Sequence, residues 1–288
     1  MKYILSLDQG TTSSRSILID EKGNIVSKAQ KEFKQIFPKP SWVEHDPIEI
    51  WKTQIETAKN VIKNAKNISA IGITNQRETI VPFDSQTGKP IHNAIVWQCR
   101  RTAEYCNKLK TKYRKKIKEK TGLEIDAYFS GPKMKWIIDN VPRAKELIKN
   151  KRLRFGTIDS WLIWNLTNGK SFFTDPSNAS RTMLYNIRKN KYDEELLDLF
   201  GIKEWMLPKV IPSDGNFGKT DKKYFGVEIP IRAVLGDQQA ALFGQCCFNE
   251  GEIKVTYGTG GFLLLNVGNK IILNENLIIQ FVTLQEPC

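Results

Sequence analysis

An aspartate, a glycine and a run of hydroxyl residues form a short loop able to meet phosphate: Asp8-Gln9-Gly10-Thr11-Thr12-Ser13-Ser14, with the cation of Arg15 behind it. Apolar Ile4, Leu5 and Leu7 would bring the acid to a strand end. Glycine would let the backbone turn tightly, and the hydroxyls would offer donors to phosphate oxygens. Residues 4–19 thus predict a phosphate-binding hairpin, although a polar turn between two strands would have the same local signature. An internal echo favours the first reading, because residues 253–268 repeat strand, loop and strand with Gly258-Thr259 where the first unit has Gly10-Thr11. Two other apolar runs end in polar residues. Residues 68–74 (ISAIGIT) lead into Asn75-Gln76-Arg77-Glu78, and residues 231–236 deliver Asp237. Ligands of open α/β sheets sit beyond such strand ends, which places Arg77 and Glu78 for a site. Taken alone, that pair could equally be a surface ion pair.

The elements around these residues follow from periodicity. After the first hairpin, a turn at residues 21–24 leads to a third strand from Ile25. A helix is expected next, with Asp46 as N-cap, Pro47 at the first helical position and Glu49 completing a capping box. Ile48, Trp51, Ile55, Ala58, Ile62 and Ala65 would form its core stripe. Strands are predicted at 79–83 and 91–97, a basic helix over 101–120, and a break at 128–132 before a helix with Met134, Ile137 and Ile138. Residues 155–159 read as a strand running into Trp161-Leu162-Ile163-Trp164. A helix at 193–200, a strand at 231–236, a tightly packed helix at 238–247 and a hinge at Gly251 complete the pattern. This order predicts an α/β, ribonuclease H-like domain over about residues 1–250, joined to the start of a second such domain at 251–288.

The chain of 288 residues is 40% hydrophobic, enough for a conventional core, and no run reaches the ~18 apolar residues of a membrane span. The start MKYILSL is too short for a secretory segment and reads as a core strand. Cys99, Cys106, Cys246, Cys247 and Cys288 contain no CxxC pair, and with His45 and His92 they give no zinc pattern. That is a reduced, cytoplasmic inventory. Net charge is +13, but eight of the basic residues lie in 108–120, where a solvated Lys-rich helix face accounts for them without nucleic acid. The same stretch lacks aromatics interleaved for base stacking beyond Tyr113.

Eight blocks, LDQGTTSSR (7–15), SWVEHDP (41–47), IGITNQRET (71–79), NAIVWQCRRTAEYC (93–106), YFSGPKMKWI (128–137), DPSNASRTM (175–183), GDQQAALFGQ (236–245) and TYGTG (256–260), stand in an order that resembles the FGGY carbohydrate kinases. Within that family the chain is most similar to the members that phosphorylate glycerol. The resemblance implies the fold of the sugar kinase, actin and hsp70 superfamily, with hairpins facing each other across a cleft. It implies glycerol and ATP as substrates, with Mg²⁺, and no nucleic-acid or membrane partner; self-association of a complete chain stays open.

The resemblance also assigns residues. Arg77 and Glu78 would supply a donor fork and an acceptor to neighbouring hydroxyls, Tyr128 a phenol, Gln238 a further contact, and Trp97 and Phe262 apolar walls. Asp237 would be the general base and, with Asp8, would lie near the metal. Gly10, Thr11, Thr12, Ser13, Ser14, Arg15 and Thr259 would meet the nucleotide phosphates. No Walker-type GxxxxGK[ST] occurs.

Two features depart from the family. Its members carry a full second domain with an adenosine pocket, whereas residues 277–288 no longer read like the family, so a frameshift with an early stop and a poorly active chain are expected. A Gly- and Arg-rich regulatory loop is replaced by Lys222-Lys223-Tyr224-Phe225-Gly226-Val227-Glu228. Other readings remain: a kinase for another polyol or ketose, and a non-catalytic remnant that retains the polyol site.

Overall fold

Leu5, Leu7 and Leu18 are buried at alternate positions of the first two apolar runs, with less buried neighbours between them, and they anchor the core around these strands. The structure, a computed structural model, describes residues 1–65, 67–257 and 261–273. Thr259, Gly258 and the 277–288 tail, to which the sequence assigned roles, lie outside the described residues. The longer elements begin with β1 (Tyr3–Gln9), β2 (Ser13–Asp20), β3 (Ile25–Glu32), α1 (Pro47–Ile62), β4 (Ile68–Asn75) and β5 (Ile80–Asp84). They continue with α2 (Ala103–Thr121), α3 (Ser130–Asn140), β6 (Leu153–Thr157), α4 (Ile158–Leu166) and α5 (Glu194–Phe200). Last come β7 (Ile231–Gly236), α6 (Asp237–Gly244), β8 (Ile253–Tyr257) and β9 (Gly261–Leu265).

The central sheet has the order β7-β4-β1-β2-β3. β1, β2 and β3 form an antiparallel meander, while β4 runs parallel to both β1 and β7. This is the ribonuclease H-like arrangement expected from the element order. A second sheet joins β5 and β6 to two-residue strands at Glu44–His45 and Ala94–Ile95, so the strand expected over 91–97 is paired only at its middle. The parallel pairing has a functional consequence: β1, β4 and β7 end side by side, with Gln9 opposite Asn75 and Asn75 opposite Gly236. Asp8, Arg77 and Asp237 therefore emerge along one rim.

Three local expectations are corrected. Helix α1 begins as predicted, with Asp46 accepting from Ile48 N at 2.8 Å, but its Glu49 carboxylate accepts from Lys34 N. Of the expected stripe, Ala58 is buried and Trp51, Ile55, Ile62 and Ala65 pack against the core, while Ile48 is exposed; the most buried face also takes in Ile50, Thr53, Gln54, Thr57 and Val61. The reason lies in the partner strand: Thr53 and Thr57 share hydrogen bonds of 2.9 Å with Ser14 and Ser16, and Gln54 donates to Arg15 O. A polar seam whose hydroxyls are paired can be buried beside the apolar stripe. The run Trp161-Leu162-Ile163-Trp164 is helical rather than extended, with Trp161 Nε1 donating to Pro47 O at 2.9 Å. Pro132 lies inside the first turn of α3, where its missing N–H is no loss.

No helix among the described residues is long and apolar enough to cross a membrane.

Candidate active site

β4 ends in a tight reversal that turns two consecutive side chains toward the rim. Thr79 N donates to Arg77 O at 2.7 Å, and Glu78 between them has a φ of 62°. A three-residue turn with positive φ at a non-glycine residue is rare and strained, and such strain gathers at functional positions. Arg77 and Glu78 are both buried.

The buried Arg77 guanidinium reaches Asp237, with Nε 3.0 Å from Oδ1, and donates from Nη1 to Gln239 at 3.3 Å. This approach requires glycine at 236, because a Cβ there would lie 2.5 Å from Arg77 Cδ. Burial raises the Asp237 carboxyl above its ordinary range; Arg77 opposes the shift and Glu78 adds to it. Asp237 is therefore a held, partly exposed carboxylate with greater than usual proton affinity, as a general base needs. Gln238 accepts from the buried Lys254 Nζ of β8 at 2.7 Å, which joins the second hairpin to the site's helix.

Asp8 and Arg15 are cross-strand neighbours at the mouth of the first hairpin, 3.5 Å apart. Burial raises the Asp8 carboxyl, Arg15 lowers it, and the negative charge of Asp237 raises it further, so the two acids sense each other across the rim. Two carboxylates within electrostatic reach of each other are of the kind that a hydrated hard cation accepts beside water and phosphate. Trp97 joins the two halves of the site: its indole N–H donates to Thr11 Oγ1 at 2.9 Å, and its ring meets Tyr128 edge-on at 5.5 Å. Burial pushes the Tyr128 phenol far up, which keeps it a neutral hydrogen-bonding group.

The structure thus gathers Asp8, Thr11, Arg15, Arg77, Glu78, Trp97, Tyr128, Asp237 and Gln238 around one rim. Thr12 is exposed at the hairpin tip and Ser13 flanks it. Ser14 is withdrawn from the phosphate-facing set, since it is fully buried and its hydroxyl bonds to Thr53. Gly10 is a turn residue whose N–H is satisfied by Ser13 O. Phe262 pairs with Thr256 on the face of the second hairpin that carries Lys254; among the described residues no ring contact ties it to Trp97 or Tyr128.

Sequence reasoning gave no role to the layer behind these residues. Asp175 accepts from Ser177 N and Asn178 N, capping a short helix. Ser177 Oγ accepts from Gly236 N at 2.8 Å, and Asn178 exchanges amide hydrogen bonds with Asn75. Arg181 Nε reaches Glu78 Oε1 at 2.6 Å. One segment therefore secures both strand ends from which Arg77, Glu78 and Asp237 emerge. Its Asp-Pro-Ser start is a legible helix cap; its partners, 59 to 103 positions away, are not.

A model of the N-terminal domain of the FGGY family of carbohydrate kinases matches residues 3–244, and the chain belongs to that family. It is 61% identical over 287 residues to glycerol kinase 2 of Thermotoga maritima and 60% identical over 286 residues to a glycerol kinase of Caldanaerobacter subterraneus subsp. tengcongensis. Those alignments cover 98% of this chain and 58% of each relative, so the chain spans little more than half their length. A Plasmodium falciparum glycerol kinase solved with ADP superposes with a TM-score of 0.92 at 41% identity, covering 96% of this chain and 56% of that one. Xylulose kinase from Lactobacillus acidophilus, 23% identical with a TM-score of 0.83, shares the fold. The α/β architecture is that of the sugar kinases.

Proposed function

We propose that this chain carries the acceptor half of an ATP-dependent glycerol kinase, which transfers the γ-phosphate to glycerol. The observation that carries the reading is the 3.0 Å contact between Arg77 and Asp237, which sets a polyol-binding cation against the base that would take the acceptor's proton. The relatives' names support the choice of glycerol. Residues 1–250 are the acceptor domain, and 251–288 open a second, nucleotide-side unit. The free thiols Cys99, Cys106, Cys246 and Cys247 are in keeping with a reduced, cytoplasmic setting.

In this reading Arg77, Glu78, Tyr128 and Gln238 hold the hydroxyls, and Trp97 with Phe262 excludes water from the carbon skeleton. Asp237 accepts the proton of the attacking hydroxyl. Thr11, Thr12, Ser13 and, from the second hairpin, Thr259 receive the phosphates, while Arg15 offsets their charge. Asp8 and Asp237 would hold Mg²⁺, which supplies charge neutralisation on the transferring phosphate when bound.

The test is ATP turnover with glycerol, measured on this chain alone and mixed with the portion of the Thermotoga relative beyond the matched 58%. In the mixture, Asp237→Asn should lower turnover by ~10²–10⁴-fold and leave glycerol binding nearly intact, since only the proton acceptor is removed. An unchanged rate would take Asp237 out of the mechanism.

A further inference from the structure

We propose that Lys133 and Arg181 are positioning residues of the acceptor site, clamping Glu78 from behind by its main-chain carbonyl and its carboxylate. The proposal rests on the reading of Glu78 as a polyol ligand and adds what keeps it in place. Lys133 is fully buried in α3, and its Nζ donates to Glu78 O at 3.2 Å and to Tyr128 O. One ammonium thus ties together two acceptor-site residues that come from separate segments. Ser130 Oγ adds a third hydrogen bond, to Glu78 O at 3.1 Å.

Among the described residues no carboxylate pairs directly with Lys133, and burial lowers its pKa to about 7. A buried amine costs stability unless its donors are used, and here they go to carbonyls of the site. Arg181 works on the side chain. Its Nε–Glu78 Oε1 contact of 2.6 Å joins side chains that are 1% and 2% exposed, and its guanidinium lies 5.0 Å from the Phe129 ring centre. That bond leaves Oε2 to meet a hydroxyl. Held at both ends, Glu78 can keep the left-handed turn at φ 62° that an unconstrained glutamate would abandon.

The test uses Lys133→Met, Arg181→Met and the conservative Arg181→Lys in this chain. Three quantities are read: melting temperature, glycerol affinity by calorimetry, and amide exchange over residues 75–80. Methionine fills the lysine's volume without its desolvation cost, so Lys133→Met should melt close to the unaltered chain. Its glycerol dissociation constant should nonetheless rise by ~10–100-fold, the scale on which loss of an outer-layer partner weakens binding at metal sites. Exchange over 75–80 should accelerate in both methionine variants, and Arg181→Lys should recover part of the affinity lost in Arg181→Met. Unchanged affinity with unchanged local exchange would overturn the proposal, as would loosening spread evenly across the fold. If the unaltered chain binds no glycerol, the acceptor reading fails by itself, and exchange at 75–80 still upholds or overturns the clamp.

Discussion

The two hairpins announce themselves in sequence by the same Gly-Thr step, yet the fold treats them differently. The first lies inside a five-stranded sheet, with β4 on one side, β3 on the other and α1 across its inner face. The second pairs β8 with β9 and, among the described residues, with no other strand. Its inner face holds Lys254 and Leu264, both buried, but its outer face presents Ile253, Val255, Leu263 and Leu265 at 44–63% exposure and Tyr257 at 89%. The same local signature therefore accompanies both strand pairs, while the neighbouring strands decide whether a pair becomes a rigid wall or keeps a bare apolar side.

The contrast between the hairpins is challenged most severely by cutting the same residue type from each. Leu7→Ala should cost ~2–5 kcal/mol in urea unfolding, because Leu7 is enclosed by the sheet and core, whereas Leu264→Ala should cost less than half as much. Equal losses would mean that the second hairpin is as integrated as the first.

A pH titration probes the enclosed side of the molecule next. Behind β4 and β7, burial and the neighbouring Asp175 raise the Asp159 carboxyl to about 7. Between its unfolded value of about 3.9 and that folded value, the native state keeps a proton that the unfolded chain has released, so stability falls as pH rises through this window and then levels off. Asp159→Asn should flatten the slope, as seen in urea midpoints at about pH 5 and about pH 8.

A smaller effect is expected at the polar seam. Ser14→Ala removes the hydrogen bond to Thr53 and should cost about 0.5–1.5 kcal/mol without changing phosphate-ligand affinity. Weakened nucleotide binding at unchanged stability would return Ser14 to the phosphate loop. The smallest change belongs to the bare face: Val255→Lys with Leu263→Glu, cross-strand partners of opposite charge, should move folding stability by no more than about 0.5 kcal/mol. Light scattering should nevertheless show less self-association, since the exposed apolar area shrinks.

The strand ends were legible because period-two apolar runs stop at Asp8, Asn75 and Gly236, and parallel pairing then brings Arg77 and Asp237 level with Asp8. The face of α1 was legible only in its apolar part: Thr53, Gln54 and Thr57 are buried through bonds to Ser14, Ser16 and Arg15 O, and hydrophobic periodicity has no means of registering polar partners 38 to 41 positions apart. Arg181 and Lys133 were invisible for the same reason. Each acts on Glu78, respectively 103 and 55 positions away, and no spacing rule links such partners. The left-handed turn at Glu78 likewise gave no warning, since residues of its type rarely adopt it.

The glycerol site proposed around Arg77 is what the rest depends on, and calorimetric titration of this chain with glycerol probes it most directly. Saturable binding is expected, and Arg77→Ala should weaken it by roughly 1–3 kcal/mol while the protein stays folded, because the hydroxyls and acceptors it serves lose their donor. A folded chain that binds no glycerol, or an Arg77→Ala variant that binds it as well as the unaltered chain, would contradict that site.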